Sequence, residues 1–373
     1  MKKSLTAFLL FGLFITIAAN SFAIPNFARN LNLDCGVCHS VRPQLGPFGQ
    51  QFLRSGGKPL NTKTYGKVDL ATNFYGGRLK SEWLDKRFSA DSTTALTAGQ
   101  KELRIRPVSE GQIFLSGRVA STFYYSLFTT DTNFDLGLPK TYILQPLSEN
   151  VRLYGGYASP FAIDGYDTVS HRKILRREWS AADFVPGTGQ MVGVQANYKE
   201  VTGTVVVHGD EGDSLGRDPE SLSVRFTYGK PSYGLGVYYT AGHIFDETVG
   251  ESTESFQLYG LDGTFHLGDF NLIFLAGFRK FRGETVNNLS LEVNYTFGKV
   301  SIRPFKAIIP IISVDTFTTS GAGGGRFIQA SLGAVLRVNS NFRFVPSVEG
   351  TIAAPNGFVN KDFRITLAGD LAF

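Results

Sequence analysis

A chain of 373 residues with 42 glycines, 13% aromatics and only 18% charged residues is too apolar for disorder. Past residue 23 no run of about 18 apolar residues occurs, which excludes a helical membrane protein, and the two cysteines allow at most one disulfide. The net charge of +5 becomes +3 without Lys2 and Lys3 (35 basic against 32 acidic residues), too little for a nucleic-acid surface, so no nucleic acid is expected as a partner.

Residues 1–23 read as a signal peptide. Met1-Lys2-Lys3 is a basic start, Leu5 to Ala19 is apolar, and Ser21-Phe22-Ala23 is a small-x-small cleavage site. A retained anchor is disfavoured, because the apolar stretch is short and Ile24-Pro25 follows it directly. The mature chain is therefore expected to be exported.

Residues 24–62 hold the one sharp chemical motif. Cys35-Gly36-Val37-Cys38-His39 is a C-x-x-C-H sequence, the pattern of covalent c-type haem attachment. Two thiols bond the vinyl groups, and the adjacent imidazole is held under the iron as proximal ligand. Both cysteines of the chain sit here, in an exported protein. A thioredoxin-like pair would need a βαβ context. A zinc site would need further ligands nearby, and the next histidine is His171. One haem c is the expected cofactor, on Cys35 and Cys38, with His39 as the metal ligand. A short helix over Pro43–Ser55, closed by Gly56-Gly57, would place Leu45, Phe48 and Phe52 on one face as haem packing. No Met occurs between His39 and residue 190, so a local His/Met cytochrome is excluded. About 40 residues cannot enclose a haem alone, so other parts of the chain must cover it.

Residues 63–373 alternate with a period of two. Leu222, Val224, Phe226 and Tyr228 alternate with Ser223, Arg225 and Thr227. Leu289, Leu291, Val293, Tyr295 and Phe297 alternate with Ser290, Glu292, Asn294 and Thr296. Segments of about ten residues with one apolar face are the signature of a transmembrane β-barrel. A soluble all-β protein alternates likewise. Three features favour the membrane. Short turns such as Lys199-Glu200 and Leu267-Gly268-Asp269 alternate with mostly longer connections at 208–220, 242–254, 282–288, 314–325 and 353–361. The last strand ends on Phe373, similar to the signal read by the barrel assembly machinery. The chain is also exported without an apolar anchor.

The expected fold is thus all-β: an antiparallel barrel of about 16 strands with the small, partly helical haem module as a lumen plug. Its strands are expected near 66–76, 99–107, 112–125, 149–158, 166–178, 189–198, 201–207, 221–228, 233–241, 256–266, 270–281, 289–297, 300–312, 326–338, 341–352 and 362–373. Such a barrel has a lumen wide enough for water or a small plug.

The run Pro25-Asn26-Phe27-Ala28-Arg29, the C-x-x-C-H of residues 35–39 and the run Pro43-Gln44-Leu45-Gly46-Pro47-Phe48-Gly49 together resemble the fused cytochrome–porin family. These are outer-membrane monohaem cytochromes of iron-oxidising bacteria. The match covers about 35 residues in detail and the remainder in architecture; the barrel also resembles phosphate-selective porins. The resemblance implies a Gram-negative outer membrane. It also implies electron transfer from extracellular Fe(II) to a periplasmic cytochrome or other carrier.

Two rival readings use the same parts. One is a conduit running outward, reducing extracellular metals. The other is a diffusion porin for anions such as phosphate, suited by lumen-facing Arg118, Arg225, Arg279, Arg337, Arg343 and Arg364 against Glu292, Glu349 and Asp370. The acidic connections, with Asp210, Glu211, Asp213, Asp246 and Glu247, are candidates for recruiting metal cations outside. For the distal haem ligand, strand parity offers two lumen-facing candidates, Met191 and His208.

Overall fold

The computed structural model describes residues 39–41, 44–45, 49, 74–87, 101–119, 122–130, 136–162, 187–209, 221–230, 232–246, 251–281, 283–298, 300, 302–320, 325–339, 342–353 and 363–372. Two short strands, β1 (His39–Val41) and β2 (Gln44–Leu45), pair antiparallel. The barrel begins with β3 (Phe74–Arg87), β4 (Lys101–Val119), β5 (Thr122–Thr130), β6 (Leu136–Pro146), β7 (Val151–Ala158) and β8 (Gly189–Tyr198). It continues with β9 (Val201–His208), β10 (Ser221–Lys230), β11 (Tyr233–Asp246), β12 (Glu251–Leu267) and β13 (Phe270–Phe281). It ends with β14 (Glu284–Tyr295), β15 (Ala307–Thr319), β16 (Arg326–Arg337), β17 (Phe342–Ala353) and β18 (Phe363–Ala372). Each strand pairs antiparallel with the next, and β18 pairs with β3, which closes a barrel of 16 strands.

Alternation decides which face is which. In β10, Ser221, Ser223, Arg225 and Thr227 are buried, while Leu222 and Phe226 are 42% and 55% exposed. The same inversion holds at Val192, Val205, Val237, Leu261, Leu289, Ile312 and Leu332, all apolar and exposed. A continuous apolar outer wall of this extent is a liability in water and an asset in lipid. No helix among the described residues is long and apolar enough to cross a membrane; a closed barrel with an apolar outer wall crosses with strands. Tyr198, Tyr228, Tyr233, Tyr295 and Phe297 cluster at one end of the barrel, as the aromatic girdle of a membrane interface does. Lys199 and Lys230 lie over the Tyr198 and Tyr228 rings at 5.4 and 5.9 Å. The barrel is a Gram-negative outer-membrane structure.

The first barrel strand starts and the last one finishes at the same end, as an even strand number requires. Connections at that end have two to four residues, except 296–306. At the other end they include 88–100, 159–188, 209–220 and 354–362. Short turns mark the periplasmic side.

The strand count agrees with the expected one, but the membership differs. The segments expected at 99–107 and 112–125 are divided differently: β4 runs through residues 101–119 and β5 begins at Thr122. A bulge opposite Lys80 and Glu82 lets β4 continue where its alternation breaks. The strand expected at 66–76 lies later, at Phe74–Arg87, and β6 was not expected at all. The segment 166–178 lies outside the described residues. The turn expected at Gly298-Lys299 is an 11-residue connection, 296–306, and β15 starts at Ala307 rather than at 300. Three expected loops shrink, and of 314–325 only 320–325 lies between β15 and β16. Asp246 ends β11 and pairs in register with Glu251 of β12, leaving 247–250 between the strands, and β13 and β14 are joined by 282–283 alone. Backbone pairing along hairpins this long outweighs the polarity of their tips.

Of the module at 24–62, only β1, β2 and Gly49 are described, and Gly49 is helical. The start of the expected helix is instead extended: Gln44–Leu45 pairs with β1, and Leu45 stands in register with His39. Cys35, Cys38, Phe48 and Phe52 lie outside the described residues.

Candidate functional site

The lumen wall is where the strands bring chemistry together. Polar and charged side chains turn inward, as parity requires, and most meet partners on neighbouring strands. Arg225 of β10 and Asp262 of β12 form a fork of 2.6 and 2.9 Å, with side chains 0% and 1% exposed. The guanidinium reaches across β11 because Gly236 lies beneath it; a Cβ there would stand 2.4 Å from Arg225 Nη2. Arg78 donates to both oxygens of Asp370 at 2.6 Å, and Arg343 donates to the same carboxylate at 2.7 Å. Lys80 pairs with Glu110. This cluster sits at the seam where the last strand closes on the first.

Parity correctly assigns Arg225, Arg337, Arg343, Glu292, Glu349 and Asp370 to the inward face, where each has inward register neighbours. The side chain of Arg118 lies outside the described residues. Sequence reasoning missed Arg78, Lys80, Glu110, Asp262 and Asp315. The first three fall on β3 and β4, where charge on both faces hides the period; Asp262 and Asp315 follow the parity of their strands and were legible.

Apolar side chains interrupt the polar inward face in clusters. One buried cluster joins Tyr238, Phe256, Leu258, Ile273, Leu275, Phe317 and Phe327. A second gathers Phe123, Tyr142, Leu144, Tyr154 and Met191. A third comprises Ile309, Ile311, Val335 and Val345. Their members are 0–8% exposed, so these inward surfaces are covered by protein and not by water.

The segment after β7 enters the lumen. Ala162 N–H donates to Ser159 O at 2.9 Å, making a turn, and Tyr154 Oη donates to Pro160 O at 2.6 Å. Phe161 is fully buried, 5.6 Å from the Arg225 guanidinium and 6.1 Å from the Tyr238 ring. Phe161 thereby ties an outer connection to the far wall. Phe161→Ala removes that anchor, a change of about 3–5 kcal/mol for a buried aromatic. Single-channel conductance in planar bilayers is expected to rise in the variant; an unchanged value would mean that the segment does not limit the lumen.

The two distal-ligand candidates are brought together. Met191 and His208 are register partners on β8 and β9, and both face inward at the outer end. Met191 packs in the second apolar cluster. His208 Nδ1 donates to Gly209 O at 2.9 Å, so Nε2 is left to accept from Ser223 Oγ, also at 2.9 Å. Ser223 Oγ in turn lies 2.7 Å from Thr240 Oγ1. To bind a metal, His208 would have to surrender the Ser223 contact. Asp210, Glu211, Asp213 and Glu247 lie outside the described residues, and Asp246 is a strand residue.

No family model matches the chain, and no curated protein does. Solved structures share its architecture. It is similar to OmpF of Salmonella typhi, solved with daunomycin (TM-score 0.60, 12% identity, 82% of this chain and 99% of that one). It is similar to an anion-selective porin from Comamonas acidovorans (TM-score 0.58, 9% identity, 81% and 99%). It is also similar to the outer-membrane channel DcaP of Acinetobacter baumannii (TM-score 0.55, 11% identity, 81% and 97%). At such identities the shared property is the fold, a closed 16-stranded barrel of the outer-membrane porin type.

Proposed function

We propose that this porin-like barrel is an outer-membrane electron conduit. In this reading residues 24–62 form the haem module and plug, residues 63–373 form the barrel, and a single c-type haem is held by Cys35, Cys38 and His39. It joins extracellular Fe(II), or another metal species, to a periplasmic cytochrome or other electron carrier. The haem, when bound, supplies a one-electron redox centre. The barrel residues exclude water from it and set the charge around it. The observation that carries the reading is the C-x-x-C-H sequence of residues 35–39, which holds both cysteines of the chain. The acidic connection 209–220, with Asp210, Glu211 and Asp213, would concentrate cationic donors outside. An outward conduit to extracellular metals would use the same parts.

A second reading, a diffusion porin for anions, is favoured by the likeness to the Comamonas anion-selective porin and by the inward-facing arginines. Proteoliposomes separate the two. With Fe(II) outside and oxidised cytochrome c inside, the conduit is expected to reduce the enclosed cytochrome without sugar-driven swelling. Rapid swelling with no electron transfer would reject the conduit in favour of the porin.

A further inference from the structure

We infer that the connection 296–306 is a binding site for an anionic phospholipid of the periplasmic leaflet. Arg303 and Lys306 hold its phosphate, and Ile302 and Phe297 enter the acyl boundary beside it. The site needs only the membrane-spanning barrel, so it serves a conduit and a diffusion porin alike.

The connection differs in charge from its neighbours at the periplasmic end. Those have two to four residues and are either neutral or hold an acid, as in Lys199-Glu200 and Gly268-Asp269. The connection 296–306 has Lys299, Arg303 and Lys306 and no acid. From Val293 to Val314 the chain contains no Asp or Glu at all.

Its ends are fixed to the barrel. Phe297 and Ile308 exchange both backbone hydrogen bonds, at 2.9 and 3.3 Å, and Lys306 N–H donates to Arg337 O at 2.7 Å. Between these ties Phe305 N–H donates to Ile302 O at 3.0 Å, a tight turn with Arg303 and Pro304 at its tip.

The turn folds back over the lipid side of the wall. Arg343 and Asp370 face inward, so Phe342, Phe344 and Leu371 beside them face outward. These three are nonetheless only 4–8% exposed, whereas Ile312 and Leu332 on the same outer face are 57% and 59% exposed. Phe305 packs on them. The same turn leaves Ile302 59% exposed, and Phe297 is 50% exposed. Arg303 and Lys306 are exposed as well, and no carboxylate among the described residues pairs with either. Lys199 and Lys230, by contrast, lie over tyrosine rings, and Glu200 is near Lys230.

Exposed apolar side chains and cations on one rim are mismatched to water and matched to a membrane interface. The apolar groups sit at the acyl boundary while the long cationic stems reach the phosphates. A surplus of positive charge with no acid selects an anionic headgroup over a zwitterionic one. An acidic periplasmic protein would match the cations but not the position of Phe305 on the lipid-facing wall.

The test uses the full-length protein in neutral detergent, with native mass spectrometry counting bound lipid as phosphatidylglycerol or phosphatidylcholine is added. The wild type is expected to retain phosphatidylglycerol in preference. Arg303→Gln combined with Lys306→Gln is expected to weaken that retention about 30-fold, roughly fivefold for each charge near the surface. Arg303→Lys should keep most of it, and Lys230→Gln should leave it unchanged. Both replaced side chains are exposed, so the barrel folds in each variant. Equal retention of the two lipids by the wild type, an unmoved affinity in the double variant, or an equal loss in Lys230→Gln would each overturn the site. Glycerol 3-phosphate carries the same phosphate chemistry without acyl chains. If it displaces phosphatidylglycerol at equal concentration, the cations form a free-oxyanion site and the lipid site is overturned. Saturable binding of a polyglutamate peptide to the wild type in nanodiscs, lost in the double variant with lipid retention unmoved, would assign the cations to an acidic protein and also overturn it.

Discussion

Replacing both Cys35 and Cys38 with serine is expected to abolish haem peroxidase staining on a denaturing gel, and replacing either one to weaken it. The thioether bonds are the links that survive denaturation, and these are the only two thiols in the chain. Without them, the haem would be held by His39 ligation and packing alone, both lost when the chain unfolds. The barrel should still assemble, since the contacts from β3 to β18 are made within residues 74–372. It would migrate as a compact, heat-modifiable band. Full haem stain in the double variant would refute covalent attachment at this motif.

The second large effect concerns the wall itself. Arg225→Met removes the guanidinium facing Asp262, whose side chain is 1% exposed. A carboxylate left at that depth without its counter-ion costs about 3–5 kcal/mol. Thermal unfolding in detergent, followed by loss of the heat-modifiable band, should shift to lower temperature. Adding Asp262→Leu should recover most of the loss, because burying neither charge is close to neutral. Phe161 and Tyr238, which lie against the guanidinium, would still have an unbranched thioether side chain as a packing surface in both variants. If the double variant unfolds as early as the single one, the pair acts through packing rather than charge.

Membrane class, period and inward polarity were written in the amino-acid order from β8 onward. There each strand spends one face on lipid and one on the lumen, and the alternation is clean enough that β13 falls on the expected residues, 270–281. The C-x-x-C-H motif is local in sequence, so the expectation of covalent haem is drawn from residue order alone. The first four barrel strands were not. β3 carries charge on both faces, β4 holds a bulge, and Leu136–Pro146 contains two prolines and a glycine, which reads as a connection. Those strands form because barrel closure supplies their partners: β18 reaches β3 only after the intervening sheet has curved through a full turn. The same closure decides the lumen. Parity sends Arg337, Arg343 and Asp370 inward, but only the register across the seam sets them beside Arg78 and Lys80. Likewise nothing local marks Phe161 as a residue that crosses to Arg225; that contact exists because the two walls face each other across one interior. Patterns of one or two residues were therefore set by the chain itself, whereas contacts between strands distant in sequence were decided by the geometry of a closed sheet.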